Sequence, residues 1–292
     1  MVAGELFAAL ESQPALLVTV CALFGLLVGS FLNVVIYRLP VMLQRDWEDE
    51  ARMILEQPAV ERERFNLVKP DSRCPHCQHA IRWYENVPVI SWLVLRGRCS
   101  GCKAPISPRY PVIELVSGVV AAVLAANIGY SPFLPAALVL SWALIALTMI
   151  DYDTCLLPDP ITLPLMWLGI LCAYAGITPV SLGDAAIGAV AGYLTLWSVY
   201  WLFKLLTGKE GMGYGDFKLL AALGAWLGWQ MIPLVILLSS FVGAIVGITL
   251  LATKIVKRDE GIPFGPYLAT AGWIALLWGP AIVDRYLGLF QF

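Results

Sequence analysis

Two groups of residues in this sequence have the type and spacing to do chemistry. The first is cysteine. Cys74-Pro-His-Cys77 and Cys99-Ser-Gly-Cys102 are two C-x-x-C knuckles with 21 residues between the inner pair. Each knuckle can wrap one side of a metal through a tight turn, and the spacing is that of a four-thiolate structural zinc site. A soft sulfur shell also suits iron, and two redox pairs or a plain disulfide are the competing reading. A cytosolic location, where thiols stay reduced, favours metal over disulfide. Four protein thiolates leave no open coordination position, so the metal is expected to be structural. His76 and His79 beside the first knuckle are read as solvated surface residues. Cys21 and Cys172 lie in apolar runs and read as small apolar side chains, whereas Cys155 stands by an acidic loop and can line a site there.

The second group is a set of carboxylates at the edges of apolar runs, where ionisable residues are costly and therefore candidates for function. Asp151, Asp153 and Asp159 cluster after one run, and Asp216 opens another in Gly211-Met-Gly213-Tyr-Gly215-Asp216-Phe-Lys218. Two carboxyls facing one cavity cannot both ionise freely when they are close, so one serves as base and the other as acid. Such a pair activates water and protonates a leaving amine, which is peptide hydrolysis without a metal. Gly213 and Gly215 remove side chains beside Asp216 and permit close backbone approach. Alternatives stand beside this reading. Asp216 alone is equally a helix cap, and Asp159, in Leu157-Pro158-Asp159-Pro160, has the stronger capping pattern. Asp151 and Asp153 would point about 200° apart on a helix, and spacing does not choose between them. The run Glu210-Gly-x-Gly-x-Gly looks like a nucleotide loop but follows an apolar helix instead of a strand, so the match is taken as coincidence.

The elements that must position these residues follow from composition. Of 292 residues, 59% are apolar and 14% charged, with a mean hydropathy of +0.76. Soluble domains run at about 45–50% and about 25%, so a soluble enzyme is excluded, and the net charge of −2 argues against a nucleic-acid partner. Residues 38–111 hold 12 of the 19 Lys+Arg and 9 of the 21 Asp+Glu. The remainder reads as membrane helices at 15–36, 112–129, 132–150, 160–177, 185–206, 217–229, 231–252 and 266–283, most of them near the roughly 20 residues that a span requires; the run 217–229 is short and Gly-rich and reads as half a span or a tilted one. The expected fold is thus an all-α polytopic membrane protein of about eight transmembrane helices, with a zinc-binding insert between helices 1 and 2. Residues 44–66 read as a charged surface helix broken near Pro58. If the insert is cytoplasmic, eight spans put Lys204, Lys209, Lys218, Lys254, Lys257 and Arg258 on its side, and only Arg285 opposite. Both termini then face the periplasm. The expected organisation is 1–37 as N-terminal segment and first span, 38–111 as zinc-knuckle insert, and 112–292 as a seven-helix membrane domain.

Taken together, these residues resemble the bacterial type IV prepilin peptidase and N-methyltransferase family, a group of GxGD-type membrane aspartyl proteases. The resemblance runs through Gly29-Ser30-Phe31-Leu32-Asn33 to Arg38-Leu39-Pro40, both knuckles with Asn86-Val-Pro-Val-Ile-Ser-Trp-Leu between them, Ser107-Pro-Arg109-Tyr110-Pro111 and Glu114, Ile150-Asp151-Tyr-Asp153, Leu157-Pro158-Asp159, and Gly213-Tyr-Gly215-Asp216-Phe-Lys218. It implies an inner-membrane enzyme. Such an enzyme removes the basic leader from type IV prepilins or type II secretion pseudopilins at the cytoplasmic face, then methylates the new N-terminus with S-adenosylmethionine. It implies catalytic roles for Asp151 and Asp216, and a metal on Cys74, Cys77, Cys99 and Cys102. The methyl-donor site is placed only as a region of the insert near Glu85, Asn86 and Arg109. The expected partners are the pilin substrates and membrane lipid. The alternative reading is a multi-pass transporter with proton-relay carboxylates and a zinc docking module.

Overall fold

The structure is a computed structural model and describes residues 2–253 and 262–288. Lys254, Lys257 and Arg258, used above for orientation, lie outside the described residues. Among the described residues the regular elements are helices, and the extended pairings are two isolated bridges, Arg73 with Ala80 and Arg98 with Pro105. Apolar runs in lipid satisfy their backbone groups internally, which makes helix the default. Eight helices stand at the eight apolar runs: α2 (Pro14–Ile54), α4 (Arg109–Ile128), α5 (Phe133–Thr154), α6 (Asp159–Tyr174), α7 (Leu182–Thr207), α8 (Tyr214–Leu227), α9 (Ile232–Ala252) and α10 (Gly265–Gly288). Two shorter ones, α1 (Val2–Ser12) and α3 (Ile90–Val94), complete the set. Six of the eight are long and apolar enough to cross a membrane; α6 and α8, at 16 and 14 residues, are shorter. The protein is therefore an all-α multi-pass membrane protein. The chain divides into two compact units, Met1–Leu134 and Pro135–Phe292.

In the first unit α2 differs from expectation. The first span and the charged segment after residue 44 are one helix of 41 residues that runs through Pro40 and ends at Ile54, before Pro58. At 1.5 Å per residue it is about 61 Å long, twice the hydrocarbon thickness of about 30 Å. Its apolar half packs along α4 through a Gly-x-x-x-Gly pair. A Cβ on Gly25 would lie 2.7 Å from the Ser117 carbonyl oxygen, and one on Gly29 2.6 Å from the Glu114 Cα. Such close backbone approach is how membrane helices associate, and the Ser117 hydroxyl donates to the Gly25 carbonyl at 2.6 Å.

In the second unit α8 is the hub. Ten of its 14 residues are buried, from Asp216 and Phe217 through Leu219–Trp226. A second Gly-x-x-x-Gly pair on α7 makes this possible. Gly188 meets Gly224 backbone to backbone, with a Cβ on Gly224 only 2.1 Å from the Gly188 carbonyl oxygen, and Gly192 meets Leu220 in the same way. On the α6 side, the Trp226 indole N–H donates to the Leu165 carbonyl at 2.8 Å.

Candidate active site and metal centre

Asp151 lies near the end of α5 and Asp216 in the first turn of α8; both are buried, at 4% and 7% exposure. Asp153, two residues on, is exposed. The helical offset left open in the sequence is thus resolved by packing, and Asp151 is the buried member. The first backbone N–H of α10, that of Gly265, donates to Asp151 Oδ2 at 2.9 Å. That places the carboxylate at the positive end of a helix. Only glycine fits there, because a Cβ would stand 2.7 Å from the same oxygen. Sequence reasoning missed Gly265; the signal was the run Pro263-Phe-Gly265-Pro266 at the foot of the last apolar stretch.

Asp216 is not the N-cap of its helix. Gly213 is, and Asp216, three residues later, accepts a hydrogen bond from the Gly213 backbone. This is half of a capping box, formed with a buried acid. Gly215 is close to Leu157, with its Cβ position 2.7 Å from the Leu157 Cβ, and Leu157 also abuts Gly265. One leucine therefore wedges between the segments that hold the two acids. Both carboxylates act on one neighbour: burial first, then the charges of Asp151 and Asp216, push the Cys155 thiol up. Asp216 also lies within range of the Asp151 charge. Asp159 is not the cap expected of it either. Pro158 is the N-cap of α6, and the Asp159 carboxylate grips Lys218 Nζ with both oxygens at 2.7 Å.

The four knuckle cysteines converge in the first unit, with all four sulfurs within 4.8 Å of one another. Cys74 and Cys102 stand 3.8 Å apart and Cys77 and Cys99 3.9 Å. A tetrahedral ion with sulfur ligands at about 2.3 Å requires sulfurs about 3.8 Å apart, so this donor set fits such a metal. The two knuckles repeat one geometry. Cys74 N–H donates to the His79 carbonyl and Cys99 N–H to that of Ala104, and the residue after each second cysteine, Gln78 or Lys103, has positive φ. Backbone N–H groups of Cys77 and His76 bring the Cys74 thiol down to about 7. Cys77 is pushed up to about 11 despite a hydrogen bond from the His79 backbone, by burial and the neighbouring thiols. His79 is not merely solvated: its Nε2 lies 3.2 Å from Glu85 Oε2 and 3.1 Å from the Ser100 hydroxyl.

Of the three residues placed near the methyl donor, Glu85 and Asn86 share one 3-10 turn (Trp83–Asn86), and Arg109 opens α4. Ser100, the Arg82 N–H and His79 hold Glu85 down at about 2. Asn86 lines a cavity of about 340 Å³ together with Arg38 and Trp83. Ligand pockets run from about 300 to 1,000 Å³, and this cavity lies at the low end of that range.

Comparison with known proteins agrees with this architecture. Residues 23–128 match the family described as bacterial peptidase A24 N-terminal domain, and residues 138–248 match the type IV leader peptidase family. A protein of Stutzerimonas stutzeri named prepilin leader peptidase/N-methyltransferase is 58% identical over 95% of this chain and 96% of its own length. Proteins of the same name from Aeromonas hydrophila and Pseudomonas aeruginosa are 57% and 54% identical, each over 95% of this chain and 96% of their own length. No solved structure matches the chain significantly. These relatives support the peptidase reading and not the transporter. With two family matches over most of its length and relatives above half identity, the chain belongs to the type IV leader peptidase family.

Proposed function

We propose that this protein uses Asp151 and Asp216 to cleave the basic leader from type IV prepilins and type II secretion pseudopilins, and then N-methylates the new N-terminus. The observation that carries the dyad is the pair of buried carboxylates in one unit, each at a helix N-terminus and within range of the other's charge. With one carboxyl ionised and one protonated, the ionised acid takes a proton from water as its oxygen adds to the scissile carbonyl carbon. The protonated acid gives its proton to the carbonyl oxygen. Collapse of the tetrahedral diol breaks the C–N bond, moves a proton to the leaving amine and restores the starting pair. Gly265 holds Asp151 and Gly213 holds Asp216 through backbone bonds that need no rearrangement during turnover.

Cys74, Cys77, Cys99 and Cys102 hold a structural Zn2+ that supplies folding free energy to an insert too small to bury a core. S-adenosylmethionine, when bound, supplies a methyl carbon on a sulfonium sulfur. The chain's part is to present the new amine unprotonated to that carbon and to release the displaced proton to solvent. The region around Glu85, Asn86 and Arg109 is assigned to this step. Residues 1–37, 38–111 and 112–292 act as anchor, insert and peptidase domain; within the last, residues 135–292 are compact by themselves and contain both acids. The location is the bacterial inner membrane among lipid, with insert and dyad cytoplasmic and both termini periplasmic.

Asp151→Asn and Asp216→Asn should each abolish leader removal while membrane insertion persists, and Asp153→Asn should cleave near the wild-type rate. Purified protein and a prepilin in one mixture test this, and cleavage by either of the first two variants at wild-type rate refutes the dyad.

A further inference from the structure

The insert carries an apolar ridge on its short helix α3. Ile90, Leu93 and Val94, at i, i+3 and i+4, share one face and are 61%, 61% and 74% exposed. The other side of the helix is tied down. Ser91 is buried and its hydroxyl donates to the Tyr84 carbonyl at 2.8 Å, and the Trp92 indole N–H donates to the Ile106 carbonyl at 3.1 Å. These bonds oppose any roll that would hide the ridge. Three large aliphatic side chains held out together form a contact surface.

The level at which the ridge is held identifies what covers it. The Val89 N–H, at the start of α3, donates to Glu114 Oε2 at 2.7 Å. Glu114 lies five residues inside α4, about 7.5 Å along its axis. At 20 residues, α4 is about 30 Å long and matches the hydrocarbon layer with nothing to spare. Val89 is therefore held beside the first turns of a span and not beyond its end. The seam with α2 fixes the same level, because Gly29 backs onto Glu114 and the Asn33 amide donates to the Tyr110 carbonyl at 3.2 Å. On α4 itself Val112, Leu115, Val116 and Val119 are exposed, a stripe that continues the apolar surface along the span. Polar features frame the ridge. Tyr110 is half-exposed in the first turn of α4, and the exposed Arg96 and Arg98 directly follow α3. Tyrosine settles at headgroup level, and arginine there attracts anionic lipid. We propose that α3 is an interfacial anchor: Ile90, Leu93 and Val94 enter the headgroup–acyl boundary of the bilayer that α4 crosses, and Arg96 and Arg98 face the phosphates of anionic lipid. An interfacial helix sinks its apolar face by about 5–10 Å, and the first turns of α4 occupy that layer. The anchor holds whichever reaction the protein catalyses. It stands between the two knuckles in sequence, so the cysteine cluster is kept at the membrane surface instead of swinging on a tether.

The test puts the photo-cross-linker p-benzoylphenylalanine in place of Leu93 in the full chain, in phosphatidylcholine vesicles with and without phosphatidylglycerol. Irradiation and mass spectrometry then read what the probe touches. Ile54 is the control position. It is apolar and 81% exposed, but it lies 25 residues past Gly29 on α2, about 37 Å further from the span. A lipid adduct at position 93, with none above background at position 54, is the expected result. Cross-links at position 93 confined to this chain or to a second copy, or equal lipid labelling at both positions, overturn the anchor. Arg96→Gln with Arg98→Gln should remove the gain in lipid adduct that phosphatidylglycerol brings, and an unchanged gain overturns the arginine contacts. Unfolding at the wild-type temperature shows that each variant folds, and the probe in place of Val94 substitutes for one that does not.

Discussion

Replacing Gly265 by alanine perturbs the dyad through backbone alone. The added Cβ would stand 2.7 Å from Asp151 Oδ2, whereas ordinary contact begins at 3.4 Å, so the carboxylate must retreat by about 0.7 Å. The other neighbour, Leu157 Cδ2 at 3.0 Å, is the flexible end of a side chain and can yield. The carboxylate is held in place by the Gly265 N–H bond at 2.9 Å, and retreat lengthens that bond beyond useful range. A hydrogen bond to a charged group contributes about 1.5–3 kcal/mol. If that stabilisation is lost from the reacting geometry, cleavage slows by roughly 10- to 100-fold, in line with the roughly 100-fold effect of a displacement of about 1 Å in catalytic geometry. The assay is single-turnover cleavage of a prepilin by Gly265→Ala protein in nanodiscs, with methylation of a pre-cleaved pilin measured in parallel. The expected result is a fall in the cleavage step with methylation and metal content unaltered. Cleavage at the wild-type rate, or an equal fall in both reactions, would refute the argument.

The remaining predictions concern packing, charge and metal. Gly224→Ala drives a Cβ to within 2.1 Å of the Gly188 carbonyl oxygen; because a backbone atom cannot swing aside, thermal unfolding in detergent should show a loss near the upper end of the usual overpacking cost, about 3 kcal/mol. The Lys218–Asp159 pair, with side chains 28% and 49% exposed, should give a coupling energy under about 1 kcal/mol in a double-mutant cycle read by unfolding. Metal added back to stripped protein should release protons, because Cys77 sits near 11 and is protonated at neutral pH. The release should shrink as pH rises toward that value, as a pH indicator in weak buffer would record.

The eight apolar helices were legible because lipid-facing segments announce themselves by length and composition, and the four-cysteine cluster because its spacing brings the thiols together. What stayed hidden depends on contacts between distant residues. The choice of Asp151 over Asp153 needed to know which face of α5 is buried. The Gly265 bond joins residues 114 apart, and the Asp159–Lys218 pair joins residues 59 apart; no local pattern encodes either. The continuity of α2 stayed hidden for a different reason: the charges after residue 44 read as a surface helix separate from the first apolar run. Proline in a helix removes one hydrogen bond, yet α2 continues through Pro40, so the charged residues up to Ile54 extend the same helix beyond its apolar half.

The shortness of α8 carries a consequence for how a leader is opened. Fourteen residues rise about 21 Å, some 9 Å less than the hydrocarbon layer, and its neighbour α6 reaches only about 24 Å. If α8 ends level with one interface, its first turn, which holds Asp216, falls short of the other. Proteolysis requires an extended backbone, and an unwound peptide in hydrocarbon has nothing to bond its exposed N–H and C=O groups. Water reaching the end of so short a helix would supply those bonds. Two short helices would thus let a substrate helix unravel at its end while the rest of it stays in lipid.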